Sequence, residues 1–197
     1  IFHLAGEARP SRKKEEYEKS NSVLTEKLIE AILKNEEKIP IAFTSSIHAD
    51  TSMNDYGRTK KESELIIEKY AIDFKIPCFI YKLPHIFGEG CKPNHHSVIT
   101  TWIFNRVNNL ESTIYDRSQK MNYVYVQDLV KDLAECLKKN KFSPDTLYYD
   151  TKIIYPTSLG EVFDYIEEFY EMTKDKSHQI KEDGFKKKLF DVYKTYT

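Results

Sequence analysis

Tyr56 and Lys60 stand four residues apart in Tyr56-Gly57-Arg58-Thr59-Lys60, at the start of a helical stretch. Side chains at that spacing share one helical face. A phenol with its ordinary pKa of about 10 is a poor proton donor or acceptor at neutral pH. A nearby ammonium favours the phenolate and lowers that value. Ten residues before Tyr56, the apolar run Ile39 to Phe43 ends in the polar cluster Thr44-Ser45-Ser46. A hydroxyl at such a strand end can hydrogen-bond a substrate oxygen. Phenol, ammonium and hydroxyl together serve proton transfer coupled to hydride transfer at a carbonyl or alcohol carbon. A Tyr and a Lys at this spacing are also ordinary helix neighbours in a Lys-rich chain. The Ser cluster upstream is what lifts the pair above that background.

The elements that would position these groups follow from hydrophobic periodicity. Ile1 to Leu4 reads as a short strand ending at Ala5-Gly6. Apolar positions at Tyr17, Val23, Leu24, Leu28, Ile29 and Ile32 predict a helix over 17–33. Strand Ile39–Phe43, a loop over Ala49–Asp55, helix Tyr56–Tyr70 and strand Pro77–Leu83 follow. Strand, helix, strand, helix, strand is the order of a parallel sheet covered by helices. Ligands bind such sheets at the carboxyl ends of the strands. Beyond Pro84 the rhythm loosens: a loop over Phe87–His96, a helix over Ser97–Asn108, and short strands at Ser112–Tyr115 and Asn122–Tyr125. A helix over Val126–Lys139 with Leu129, Val130, Leu133 and Leu137 on one face precedes a last strand, Thr146–Asp150. Ser158 is placed to cap a helix over Leu159–Met172, and a final helix is expected over Phe185–Tyr193. The fold class is α/β, a doubly wound parallel sheet over 1–150 with a small carboxyl-terminal lobe over 151–197 and a substrate-binding stretch within 88–125.

The 197 residues suit one domain, or one domain with a lobe. A formal net charge of -1 supplies no global field for nucleic acid or membrane. Cys78, Cys91 and Cys136 show neither metal-ligand spacing nor an even framework, so reduced thiols in a cytoplasmic protein and no metal site are expected. No apolar run reaches the ~20 residues of a membrane span. The chain opens at Ile1, without Met, straight into a strand. A buried parallel strand needs neighbours on both edges, so an upstream segment is expected.

Five short segments occur in order: His3-Leu4-Ala5-Gly6, Thr44-Ser45-Ser46, Tyr56-x-x-x-Lys60, Leu83-Pro84-His85-Ile86-Phe87-Gly88 and Tyr125-Val126-x-Asp128. Together they resemble the extended short-chain dehydrogenase/reductase (NAD-dependent epimerase/dehydratase) superfamily, whose fold is Rossmann-like. The run Cys91-Lys92-Pro93-Asn94-His95-His96-Ser97-Val98, the Arg9-Pro10 that follows Gly6, and the short step from Ser45-Ser46-Ile47 to Asn54-x-Tyr56-Gly57 are similar to the reductase domain of its bifunctional capsular-polysaccharide branch. The resemblance covers nearly the whole chain. It implies NADPH-dependent reduction of a 4-keto group on a UDP-linked 6-deoxy amino sugar, feeding capsule or related surface polysaccharide. Tyr56 would be the acid/base, Lys60 would lower its pKa and bind the nicotinamide ribose, and Ser46 would hydrogen-bond the sugar oxygen. His3, Leu4, Ala5, Gly6, Thr44, Ser45, Leu83, Pro84 and His85 would line the NADP cofactor. Ser46, His85, Lys92, Asn94, Ser97 and Arg117 would hold the UDP-sugar. A homodimer through the two long helices, 17–33 and 56–70, is implied as well.

The sequence also departs from that pattern. The family opens with a strand, a Gly-x-x-Gly-x-x-Gly turn that seats the pyrophosphate on a helix amino-terminus, and a helix; none of these precedes His3. Lys82 stands where the family often has Arg, and His85 where it usually has Asn. The branch's metal-binding β-barrel of cupin type would follow Thr197. The chain alone is therefore expected to be inactive, as a fragment of a reductase. The alternative is a truncated, non-catalytic relative that binds a sugar nucleotide or a partner protein.

Overall fold

The computed structural model describes residues 1–197 except 11, 137, 139–141, 144–146, 176–179 and 181–183. Leu137, Lys139 and Thr146, which the periodicity assigns to a helix and a strand, lie outside the described residues. In chain order the elements are β1 (Phe2–His3), α1 (Lys14–Ser20), α2 (Ser22–Lys34), β2 (Ile41–Ser46), α3 (His48–Thr51), α4 (Asp55–Phe74), β3 (Cys78–Leu83) and β4 (His85–Phe87). There follow α5 (Val98–Val107), β5 (Lys120–Tyr125), α6 (Val126–Cys136), β6 (Tyr148–Tyr149), β7 (Tyr155–Ser158), α7 (Leu159–Asp175) and α8 (Phe185–Tyr193). Two compact units result: Ile1–Pro84 with Val130–Lys152, and His85–Leu129 with Ile153–Thr197. Residues 85–129 thus group with the carboxyl-terminal stretch rather than with the first sheet.

The first unit holds a parallel sheet in the order β1-β2-β3-β6. β2 is buried on both faces, as a central parallel strand must be: Ile41, Ala42 and Phe43 are almost wholly enclosed. One face packs Ile41, Phe43, Cys78 and Ile80 against Ile29 and Ile32 of α2 and Ile67, Tyr70 and Ala71 of α4. On the other, the Tyr81 hydroxyl donates to the Asp132 carbonyl of α6 at 3.2 Å. Helices on both faces make the sheet doubly wound, as the alternation predicts.

The helix predicted over 17–33 is divided in two. Asn21 leaves helical geometry at φ -113° and ψ -85°. Its side chain accepts from the Glu7 amide (2.8 Å) and donates to the Glu7 carbonyl (3.1 Å) and the Thr59 hydroxyl (2.9 Å). Tertiary bonds from a short amide side chain compete successfully with helix continuity here.

The second unit pairs β4 with β5 in parallel and β5 with β7 antiparallel. Its core gathers Phe87, Trp102, Ile103, Tyr123, Val162, Ile166, Phe169, Leu189 and Val192. The segment Leu83–Gly88, a turn by composition, contains a strand on either side of Pro84. Proline carries no amide donor and closes β3, after which His85–Phe87 joins the other sheet. No strand forms at Ser112–Tyr115: the Asn105 amide donates to the Glu111 carbonyl at 3.0 Å and to the Ser112 hydroxyl at 3.2 Å, holding this stretch as loop. β7 leaves no strand signal in the sequence: Pro156 lies inside it, a residue tolerated only at a sheet edge, which is where β7 lies. Ser158 does cap α7. The Glu161 amide donates to its hydroxyl (3.2 Å), and the Glu161 carboxylate accepts from the Ser158 amide (2.8 Å), a capping box.

Ile67 is fully enclosed between α4 and the sheet. Ile67→Ala should destabilise the first unit by about 2–5 kcal/mol, read as a lower denaturant midpoint at unchanged slope.

Candidate functional site

β2 and β3 end side by side, with Ser46 in register with Leu83 and the Ile47 amide donating to the Leu83 carbonyl at 3.1 Å. The chain then turns through α3, and the Ser46 hydroxyl accepts from the His48 amide at 3.2 Å. α4 begins at a true cap: Asn54 Oδ1 accepts from the Gly57 amide at 2.7 Å. A Cβ on Gly57 would lie 2.3 Å from the His48 carbonyl oxygen, so only glycine lets this first turn lie against α3. Tyr56 is thereby presented beside Ser46. Its half-buried ring lies 6.1 Å from His48 and 6.4 Å from Tyr17. Contrary to the lowering expected from Lys60, burial pushes the phenol pKa up, and it is a hydrogen bond with Ser46 that acts against that rise.

One turn on, Lys60 is only 5% exposed. Its ammonium sits 4.1 Å from the centre of the Phe43 ring, a desolvated cation–π contact. Among the described residues it makes no hydrogen bond or ion pair. Burial lowers its pKa to about 8, with Glu64 opposing. Phe43 is in register with His3, and their rings are 5.1 Å apart. His3 Nε2 shares a 2.9 Å hydrogen bond with the Thr25 hydroxyl. Burial, then the Lys60 ammonium, holds the His3 pKa down to about 4, so the imidazole is neutral at neutral pH. After β1 the backbone passes close to Lys60: a Cβ on Gly6 would lie 3.8 Å from Lys60 Nζ and 2.8 Å from Asn21 Oδ1.

The structure therefore joins Ser46 to Tyr56 and gathers His3 and Gly6 around Lys60 and Phe43. Leu4, Ala5 and Gly6 are exposed, Thr44 and Pro84 half-buried, and Leu83 buried. The Ser45 hydroxyl donates to the Glu64 carboxylate at 2.5 Å. The other predicted residues belong to the second unit. His85 opens β4, exposed, with its ring 5.9 Å from Tyr123. Lys92 is exposed. Asn94, at φ 56°, donates its amide to the Thr101 hydroxyl at 2.9 Å. The Ser97 hydroxyl caps α5 by accepting from the Thr100 amide at 3.2 Å. Arg117 meets Asp164 of α7 through a pair of bonds at 2.6 and 2.7 Å.

Sequence reasoning missed Asn21, Thr59 and Glu64. Glu64 was findable: it lies four residues after Lys60, on the same helix face as Ile67 and Ala71, where an apolar residue is expected. The long-range bonds of Asn21 left no such signal. Among the described residues no cluster of three or more His, Cys, Asp or Glu is arranged to hold a metal ion, and no helix is long and apolar enough to cross a membrane.

Residues 1–147 match the model of the NAD dependent epimerase/dehydratase family. The chain belongs to that family. A curated relative in Pseudomonas aeruginosa strain PA103, a UDP-2-acetamido-2,6-beta-L-arabino-hexul-4-ose reductase, is 31% identical over 196 residues, which cover 100% of this chain and 52% of that protein. The capsular polysaccharide assembling protein CapF of Staphylococcus aureus superposes with a TM-score of 0.78 at 27% identity over 87% of this chain and 47% of its own. The UDP-glucuronic acid 4-epimerase of Bacillus cereus, solved with NAD, has a TM-score of 0.82 over 100% of this chain and 72% of its own; at 17% identity the likeness is one of fold. The chain spans about half the length of the reductase and of CapF.

Two outcomes follow from this geometry. Replacing glycine by alanine inside a helix normally stabilises, by roughly 0.5–1 kcal/mol. Gly57→Ala should instead destabilise, by about 1–3 kcal/mol, because its methyl group meets the His48 carbonyl; chemical denaturation reads the sign. Burial holds the Lys60 pKa down to about 8 in the folded chain, against 10.5 as its ordinary value. Between these values the unfolded chain binds more protons, so stability rises with pH. The burial penalty is complete below pH about 8 and is relieved towards 10.5. Lys60→Met should be more stable than the parent at pH 7, with an advantage that shrinks from pH 8 to pH 10 in paired denaturation curves.

Proposed function

We propose that this chain is part of a cytoplasmic, NADPH-dependent reductase of a UDP-linked 4-keto-6-deoxy amino sugar, serving capsule or related surface-polysaccharide synthesis. The convergence of Ser46 and Tyr56 one turn from the enclosed Lys60 ammonium carries the proposal. The name of the Pseudomonas aeruginosa relative and the likeness to CapF support the substrate class.

The chemistry assigned to these residues is that of the reductive direction. Ser46, at the end of β2, orients the keto oxygen by hydrogen bonding. Tyr56 delivers the proton to that oxygen, and the burial that raises its pKa keeps the phenol protonated beforehand. Lys60 stabilises the phenolate left behind and offers its donors to the ribose hydroxyls. When bound, the reduced nicotinamide supplies the hydride. The residues present fit the nicotinamide end of such a cofactor: an enclosed ammonium without a hydrogen-bond partner among the described residues faces the open backbone at Gly6. Leu4, Ala5, Thr44, Leu83, Pro84 and His85 complete the proposed lining. Lys92, Asn94, Ser97 and Arg117 are assigned to the nucleotide sugar, with Arg117 exchanging Asp164 for the diphosphate. A homodimer is assigned to α2 and α4, which leave Leu24, Leu65 and Ile72 partly exposed.

In the full-length protein, Tyr56→Phe should reduce turnover by at least about 10²-fold, the lower range for a general acid, while NADPH fluorescence reports unchanged binding. Retained turnover removes Tyr56 from its role. Failure of the unmodified full-length protein to bind NADPH removes the reductase proposal.

A further inference from the structure

Glu64 is the one carboxylate in the first unit whose side chain is wholly enclosed, at 0% exposure, among those described as buried. An unpaired charge so placed would be strongly destabilising. Glu64 is instead anchored on both oxygens. The Ser45 hydroxyl donates to Oε1 at 2.5 Å, and Lys61 Nζ donates to Oε2 at 3.1 Å. It lies one helical turn beyond Lys60, so the two side chains share the face of α4 that packs on β2. Phe43 and Ser45, two residues apart on that strand, receive Lys60 and Glu64 respectively. The strand and helix periods therefore coincide here: two consecutive same-face strand positions engage two consecutive turns of α4.

Resting on the function proposed above, we propose that Glu64 is a positioning residue for Lys60: a buried carboxylate, pinned by Ser45, that keeps the ammonium charged and seated over Phe43 where a ligand's hydroxyls would meet it. The Phe43 ring supplies a cation–π contact but no hydrogen bond, and in this proposal an opposite charge on the same helix face compensates the cation. Glu64 supplies it from within the helix, without occupying the ammonium's donors in a direct ion pair. Those donors stay available for a ligand. Ser45 thereby acquires a role different from lining the cofactor: it fixes the carboxylate behind the cation.

The charged and titratable surroundings are these. Lys60 faces neutral His3 from β1 and lies over Phe43 of β2. Glu64 pairs with Lys61 on α4, has Glu68 one turn further along that helix, and acts electrostatically on Lys82 of β3 and Tyr148 of β6. Lys82 is itself paired with Asp50, and Tyr148 hydrogen-bonds Glu68 at 3.3 Å. Burial lowers the Lys60 pKa and Glu64 raises it again, consistent with this arrangement.

The test is Lys60 titration in the full-length protein, followed by NMR on ¹³C-dimethylated lysines assigned with Lys60→Arg, alongside the pH dependence of NADPH affinity. Glu64→Gln keeps the size and an acceptor for Ser45 but removes the charge. It should lower the Lys60 midpoint by roughly one pH unit, the low end for loss of a neighbouring opposite charge, and move the alkaline loss of NADPH affinity down by the same amount. Ser45→Ala should shift both in the same direction, and Ser45→Thr, which restores a hydroxyl, should return them to the parent values. This pair keeps the proposal testable if Glu64→Gln does not fold. An unchanged Lys60 midpoint in Glu64→Gln, or in Ser45→Ala, overturns the role of Glu64 while leaving the reductase reading intact. A parent protein that shows the Lys60 shift on Glu64→Gln but binds no NADPH upholds the role of Glu64 and removes the reductase reading.

Discussion

A lysine ammonium enclosed against an aromatic ring is the constraint around which the first unit is arranged. Lys60 lies over Phe43 with almost no exposure, and a buried cation is tolerated only where its surroundings compensate it. Each neighbour answers that requirement. His3 stays neutral, so it adds no second positive charge. Glu64 adds a negative one from the next helical turn. Gly6 keeps the backbone close without a side chain that would fill the space. The same enclosure that makes Lys60 costly for stability strengthens every interaction of its charge, because charges act more strongly where water is excluded.

Position is imposed on this cluster by backbone devices at some distance from it. The Asn54 cap and the side-chain-free Gly57 set the entry angle of α4, and with it the direction of both Tyr56 and Lys60. Asn21 ties the turn after β1 to Thr59, the residue before Lys60, at the cost of breaking one helix into two. The parallel pairing of β2 with β3 brings Ser46 beside Leu83. Ser46, Tyr56 and Lys60 come from two elements, and each element is held by contacts to a third.

The parallel order of β1, β2 and β3 and the long helix α4 were legible because a buried parallel strand and a sheet-packed helix leave distinct apolar periods. The approach of Tyr56 to Ser46 was legible because their spacing along the chain translates directly into a strand end and a helix start. Less legible were elements whose pairing is decided by distant partners. β4 looks like a turn, since Pro84 and Gly88 punctuate it, and it is a strand only because β5 is beside it. β7 contains Pro156, which argues against a strand until an edge position is known. Residues 85–129 read as an appendage of the first sheet; their apolar faces instead close a core with α7 and α8.

From the sequence alone came the alternation of strand and helix, the chemical types brought to the strand ends, and a phenol and an ammonium on one face of a helix. Those depend on periods of two and 3.6 residues, which are local properties of the backbone. Tertiary structure alone decided that the carboxylate of Glu64 is buried, that Ser45 turns to it while Ser46 meets Tyr56, and that His3 is uncharged. These depend on burial and on partners that only the fold brings together, 19 residues apart for Ser45 and Glu64 and 22 for His3 and Thr25. No local period records such distances.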